Sequence, residues 1–547
     1  MKASKLAEIR DLIKQQGYTN QLQNGKVTMA VSISDHEHQA SVKFFQGKSF
    51  NAVWGNIESK LKGIQSNFWI KIDLVINTQG KQKITFESEL KSIERNNYWR
   101  KGISFDDSFK YALLESEINA NALFKPSKNH VVGVNGAQMT ADYKSIENYF
   151  SQSRNIKDKL NTKSVDMVWV FNTKSVFYDG DNIYVLNDEG LNIGSRITPD
   201  LHGELTQVIN QGQKYLKAQI KESGKFAYGY YPALQMVLTN YNTVRHFSSI
   251  YALLEASQYV HDTDAFSNIK RALDYGLENL TITKDNALFS VDHYKKRQDE
   301  LKLGSQAMII LALCKYEEIT GDRSYEEQIN QVLEALKYFQ RKDHGYLHVL
   351  NTDLTLKDKF RVIYYDGEIT FALARYYQLT KNKLAKKYLK ESLDYMVAHD
   401  YGRYHDHWIS YAVNESLTIF GNNVDYMKLA IKNVFTYLDF IEKRDTSYPT
   451  LLELLNAANK MVDKVNESGN DQLLEQYDVD RLRKMQTFRT RHEINTGCFL
   501  PEVAMYFRWP EKYLGGFFAR HDNFRTRIDD CEHFLSGLVN YDYYVYK

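Results

Sequence analysis

Apolar positions change their period along the first part of this chain and then settle into helical spacing from about residue 201 onward. Up to about residue 200, segments 26–33 and 40–45 alternate polar and apolar residues, and 68–76 (FWIKIDLVI) is a third apolar run; all three predict strands. Segment 51–64 has helical spacing. Segment 106–124 opens with two acidic residues, which suit the first turn of a helix, and continues as a helical pattern. Segments 165–171 and 183–186 predict further strands, with the turn signal Tyr178-Asp179-Gly180-Asp181 between them. Strands mixed with helices predict an α+β domain over 1–200, of one or two lobes. It holds no phosphate loop, CxxC, HExxH or nucleophile elbow.

The helical part, 201–547, contains two kinds of helix. One kind is amphipathic, as in the stripe Ile329, Val332, Leu336 and Phe339, and predicts half-exposed helices near 265–280, 324–340, 382–398, 423–443 and 451–485. The other is apolar nearly all round and must be enclosed. Each enclosed helix is entered through polar residues: Arg245-His246, Gly304-Ser305-Gln306, Asp366-Gly367-Glu368, His405-Asp406-His407-Trp408, Arg489-Thr490-Arg491-His492-Glu493 and Arg527-Ile528-Asp529-Asp530. The turn Thr320-Gly321-Asp322 is echoed at Thr380-Lys381-Asn382, which marks an irregular internal repeat. Enclosed and half-exposed helices in alternation are satisfied by two concentric rings. The inner helices would then be parallel, and their polar openings would gather at one end.

Composition narrows the function. A net charge of +2 argues against nucleic acid as the main partner. The 39 tyrosines suit helices that face a polar cavity or stack on sugars. Cys314, Cys498 and Cys531 lie far apart in apolar runs, which suits buried thiols in a reducing compartment better than a disulfide or metal cluster. The first 17 residues read as an ordinary amphipathic helix, and no stretch approaches a membrane span, so a cytoplasmic protein is expected.

With these openings in view, the region from about 224 to 547 resembles the (α/α)6 toroid of many glycoside hydrolases, some polysaccharide lyases and the N-acylglucosamine 2-epimerases. The likeness is one of architecture and site placement, so it assigns no catalytic residue. Lanthionine cyclase-like toroids need a Cys/His zinc set that these three cysteines do not supply. Triterpene cyclases would show a DxDD motif, which Arg527-Ile528-Asp529-Asp530 is not.

Cations at helix N-termini oppose the macrodipole, so Arg245, Arg489, Arg491 and Arg527 point to a site rather than to capping. Glu368, His492, Glu493 and Asp529 are the expected catalytic groups. Asp529 shares a helix face with His533, and Arg489 shares one with Glu493. Arg245, His246, Asp366, His405, His407, Trp408, Arg489, Arg491, Arg527, Asp530 and His533 are expected to contact substrate. The pair His405/His407 has metal-like spacing but lacks a third ligand, so no metal and no cofactor are expected. The leading expectation is hydrolysis of a glycosidic bond by paired carboxylates in an acidic or amino-sugar oligosaccharide. A sugar epimerase or lyase using histidine acid/base chemistry is the alternative, and a non-catalytic glycan-binding or polysaccharide-assembly protein is a third.

Overall fold

The computed structural model describes residues 3–15, 25–93, 97–126 and 139–547. It has an N-terminal α+β part followed by a mainly helical (α/α)6 toroid. The chain divides into two compact units, each discontinuous in sequence: Met1–Leu201 with Tyr230–Val237 and Asn495–Thr526, and His202–Gly229 with Leu238–Ile494 and Arg527–Lys547.

In the first unit, strands β1 (Val27–Ser34), β2 (Ser41–Gly47), β3 (Trp69–Gln82), β4 (Gly102–Ser104), β5 (Ala112–Leu113), β6 (Phe124–Pro126), β7 (Met139–Ala141), β8 (Met167–Tyr178) and β9 (Ile183–Val185) accompany helices α1 (Ala3–Gln15), α2 (Phe50–Leu61), α3 (Lys83–Lys91), α4 (Glu115–Ala120) and α5 (Tyr143–Gln152). The main sheet runs β2-β1-β3-β8-β4-β5, with β9 on β8 and neighbours antiparallel. The expected helix over 106–124 shrinks to α4. Asp106 is the reason: its carboxylate accepts the backbone N–H groups of Lys110 and Tyr111, closing a turn where a helix would otherwise start. Segment 495–526, with the short helices α18 (Pro501–Ala504) and α19 (Pro510–Tyr513), joins this unit's core through Phe499, Tyr506, Phe507 and Phe518. A buried ion pair, Arg196–Glu502, ties it to the sheet region.

The second unit is the toroid. Among the described residues, its inner ring holds six helices: α7 (Thr243–Tyr259), α9 (Leu303–Thr320), α11 (Tyr364–Thr380), α13 (His407–Phe420), α16 (Thr450–Glu467) and α20 (Ile528–Val545). Each packs on the next in that order, and α20 packs back on α7, so the ring closes. Outside them lie α6 (Leu201–Ala218), α8 (Ala265–Asn279), α10 (Glu326–Phe339), α12 (Lys383–Ala398), α14 (Val424–Phe435), α15 (Leu438–Lys443) and α17 (Val479–Gly497). α9 is buried on every side through its first twelve residues, as its continuous apolar run requires. The repeated turn is real at the level of hydrogen bonds. Thr320 and Thr380 each donate from Oγ1 to the carbonyl four residues back and accept the backbone N–H two residues on, while Gly321 and Lys381 take left-handed φ of 72° and 57°.

One inner helix differs from expectation. Segment 489–493 does not open a buried helix but lies two-thirds of the way along outer helix α17. The fifth inner helix is α16, which the sequence placed inside an outer stretch at 451–485; residues 451–459 (LLELLNAAN) are buried without a break. No helix among the described residues is long and apolar enough to cross a membrane.

Candidate active site

The inner helices are parallel, and their N-terminal ends line one cavity of about 320 Å³. α7 contributes Arg245 and Ser248, α9 Met308, α11 Tyr364, Tyr365 and Glu368, α13 His407 and Trp408, α16 Thr450, and α20 Asp529, Glu532 and His533. Local caps fix these ends. Asn242 accepts the Arg245 N–H at 3.2 Å, Asp406 accepts the Trp408 N–H at 3.0 Å, and Asp530 accepts the Arg527 N–H at 3.0 Å. Of the adjacent pair on α20, Asp529 lines the cavity, while Asp530 is used as the cap.

Carboxylates dominate the chemistry. Glu368 sits just past the first turn of α11 with its carboxyl against the α9 backbone; a Cβ added at Gly304 would lie 2.3 Å from Glu368 Oε2. Its Oε2 is buried and has no hydrogen-bond partner among the described residues. Burial raises its pKa from 4.5 to about 8, partly opposed by the charge of His533, so the group is protonated at neutral pH. Here desolvation outweighs the α11 dipole, which favours the anion. Asp529 is the contrasting group. Its Oδ2 accepts from Arg245 Nε at 2.8 Å and lies 3.0 Å from Arg527 Nη2. Arg245 also donates to the Tyr228 hydroxyl.

Behind these lies a second constellation. Glu453 of α16 is buried and accepts from His533 Nδ1 at 2.8 Å and from the Tyr411 hydroxyl at 3.3 Å. His533 Nε2 is 3.4 Å from Glu532 Oε2, and His407 Nε2 is 3.7 Å from Glu453 Oε2. His533 is desolvated, but Glu532 and Glu453 outweigh that and raise its pKa to about 10. Burial drives His407 the other way, well below 6.5, so of two imidazoles 5.5 Å apart one is neutral and the other protonated. Burial, eased by His533, raises Glu532 to about 8.

Several expected contacts fall elsewhere. His246 is buried, with Nδ1 on the Tyr241 hydroxyl and Nε2 on the Ala272 carbonyl, both at 2.8 Å; it anchors α8 instead of reaching the cavity. His405 stacks on Tyr437 at 4.1 Å and bonds the Asn433 carbonyl. Asp366 turns to His348 at 2.9 Å and Tyr401 at 3.2 Å. Arg489 is fully buried and donates to the carbonyls of Arg444, Thr446 and Ser447. His492 Nε2 bonds the Asp445 carbonyl at 2.9 Å, and Glu493 is buried beside Arg489. None of Arg489, Arg491, His492 and Glu493 lines the cavity, because α17 belongs to the outer ring. Arg527 reaches the site through Asp529.

Glu453 and Glu532 escaped the sequence reading. Glu532 is three residues after Asp529 and so shares its helix face, a signal that was present. Glu453 is hidden in the sequence because its helix falls within the stretch 451–485, whose spacing reads as half-exposed.

Residues 238–419, which run from before α7 to the last turn of α13, match the family model described as "Beta-L-arabinofuranosidase, GH127 catalytic domain". No curated protein matches the chain. Among solved structures, a D-mannose isomerase aligns at 12% identity over 64% of this chain and 100% of its own, with a TM-score of 0.49. A sugar epimerase from a ruminal bacterium aligns at 12% identity over 62% and 99%, with a TM-score of 0.43. The GH76A α-1,6-mannanase from Salegentibacter sp. HEL1_6 aligns at 10% identity over 62% and 99%, also with a TM-score of 0.43.

Proposed function

We propose that this protein hydrolyses a glycosidic bond, with Glu368 as general acid and Asp529, paired with two arginines, as the second carboxyl group. That it is a glycan-active, glycoside hydrolase-like enzyme rests on the matched catalytic-domain model. The observation that carries the assignment of roles is the contrast between two carboxyl groups lining one cavity. Glu368 is kept protonated by burial, and Asp529 is paired with Arg245 and Arg527. Glycoside hydrolysis needs such a pair, one acid to protonate the leaving oxygen and one carboxylate to act as base or nucleophile.

The arginines that suggested an anionic sugar are engaged within the protein. Arg245 and Arg527 pair with Asp529 and Asp530, and Arg489 binds backbone carbonyls. We therefore read the substrate as an uncharged glycan, with Trp408, Tyr364 and Tyr365 as the apolar faces against which a sugar ring can stack. The name of the matched family makes a terminal β-L-arabinofuranoside the first substrate to try. Three buried thiols support a reducing, cytoplasmic setting.

The neutral imidazole of His407 beside the protonated imidazole of His533 supports a second reading, epimerisation by carbon–proton transfer. Isotopes separate the two. Incubation of the protein with neutral aryl glycosides and oligosaccharides in heavy-oxygen water is expected to place label at a new reducing end. Deuterium on a sugar carbon in heavy water, with no bond cleaved, would replace hydrolysis by epimerisation.

A further inference from the structure

We propose that His348, held in one tautomer by Asp366, is a positioning residue that fixes the glycan-facing wall formed by Val362, Tyr364 and Tyr365. This role rests on the glycan-site reading of the cavity, which those three residues line. The wall lies where the chain enters α11, and residues 359–363 just before it belong to no helix or strand. Their backbone N–H groups therefore need partners from elsewhere.

His348 supplies them. Its Nδ1 accepts the N–H of Arg361 at 3.0 Å and that of Val362 at 3.3 Å. Two donors converge on that nitrogen, so the ring proton sits on Nε2, which donates to Asp366 Oδ2 at 2.9 Å. A carboxylate only accepts, so Asp366 selects the tautomer that leaves Nδ1 open to the wall. The Tyr401 hydroxyl donates to the same oxygen at 3.2 Å and orients the carboxylate in turn. The imidazole packs against Phe360 at 4.5 Å and Tyr365 at 5.3 Å. Main-chain bonds complete the hub: the His348 carbonyl accepts the Leu303 N–H at the start of α9, and its N–H donates to the Asp358 carbonyl. From the other side, Arg361 grips Glu300 with two hydrogen bonds of 2.8 and 3.1 Å.

His348 and Asp366 are buried, and neither lines the cavity. Burying an acid and an imidazole costs more than an apolar contact of the same size, but an apolar pair could not aim two N–H groups. Asp366 thus serves recognition indirectly, in place of the direct substrate contact expected of it. Loss of the pair should weaken sugar binding and spare the acid Glu368, which is a separation of KM from kcat.

The two halves of the imidazole can be replaced one at a time. In His348→Asn the side-chain carbonyl can stand in for Nδ1 and accept from the wall, whereas the longer side chain of His348→Gln reaches Asp366 in place of Nε2. Asp366→Asn keeps its shape but can offer an N–H to Nε2, which drives the ring proton to Nδ1, against the two wall donors. On a neutral aryl glycoside that the wild type cleaves, His348→Gln and Asp366→Asn are expected to raise KM about tenfold, the worth of a hydrogen bond or two, with kcat retained. His348→Asn is expected to restore most of the wild-type KM. Backbone amide exchange followed by mass spectrometry needs no substrate. The peptide spanning 359–365 is expected to exchange faster in His348→Gln and Asp366→Asn than in wild type or His348→Asn. An unchanged KM in Asp366→Asn, a loss confined to kcat, or wall exchange at the wild-type rate in both variants overturns the proposal. If the His348 variants lose their near-UV circular dichroism, Asp366→Asn decides alone. If the wild type cleaves no glycoside, the hydrolase reading fails, and the exchange rates still decide whether His348 holds the wall.

Discussion

Glu368 shows how one residue's surroundings set its chemistry. Its carboxyl lies against Gly304 with an unpartnered oxygen, and burial holds its proton to about pH 8. Glu368→Gln is expected to cut turnover about 10²–10⁴-fold, the usual worth of general acid catalysis. The wild-type rate is expected to fall along a basic limb near pH 8, shared with Glu532, which titrates at about 8 in the same cavity. Stability carries the same signature. A carboxyl whose folded pKa is raised from 4.5 to about 8 binds more protons folded than unfolded between those values. Its contribution is therefore fully present below about pH 4.5 and lost as pH rises toward 8. Melting temperatures measured from pH 5 to 9 are expected to decline less steeply in Glu368→Gln than in wild type.

At the scale of the element, small residues and buried charges decide where helices can lie. Gly304 lets α9 approach the α11 carboxyl; Gly304→Ala would place a Cβ 2.3 Å from Glu368 Oε2 and 2.6 Å from the Tyr365 ring. That variant is expected to lose at least about tenfold in turnover by moving the acid, while far-UV circular dichroism stays unchanged. Arg489 serves stability instead of binding. It feeds donors to three carbonyls of the segment 444–447 and supplies the positive charge beside buried Glu493. Arg489→Ala is expected to cost about 1–3 kcal/mol in a denaturant titration, since it leaves the carbonyls of Arg444, Thr446 and Ser447 without this donor, and to leave KM unchanged in whatever fraction remains folded. Position along a helix is the deciding variable here. The same Arg-His-Glu chemistry at a helix opening would have made a site, but well inside α17 it holds a loop.

At the scale of the whole molecule, parallel inner helices collect six N-termini at the cavity and six C-termini at the other end. Among the inner helices, α16 carries a basic residue in its last turn, where the dipole favours it: Lys464, which donates to the Asn414 carbonyl at 2.6 Å. The ring closes only because α20 packs on both α16 and α7. Truncation before residue 528 is therefore expected to abolish the cooperative thermal transition of the toroid, followed by calorimetry, instead of lowering it by a few degrees. The sequence by itself determined the alternation of enclosed and half-exposed helices, because an apolar surface on all sides admits no exposed face. It also determined the polar openings at Glu368, His407 and Asp529, since charge interrupts an apolar run visibly. Tertiary structure decided which helix of a similar-looking pair turns inward. α16 and α17 both carry polar residues, and only packing against α13 and α20 puts Glu453 in the site and leaves Glu493 behind it. The pairing of distant side chains, such as Glu453 with His533, depends on ring closure, which no local period encodes.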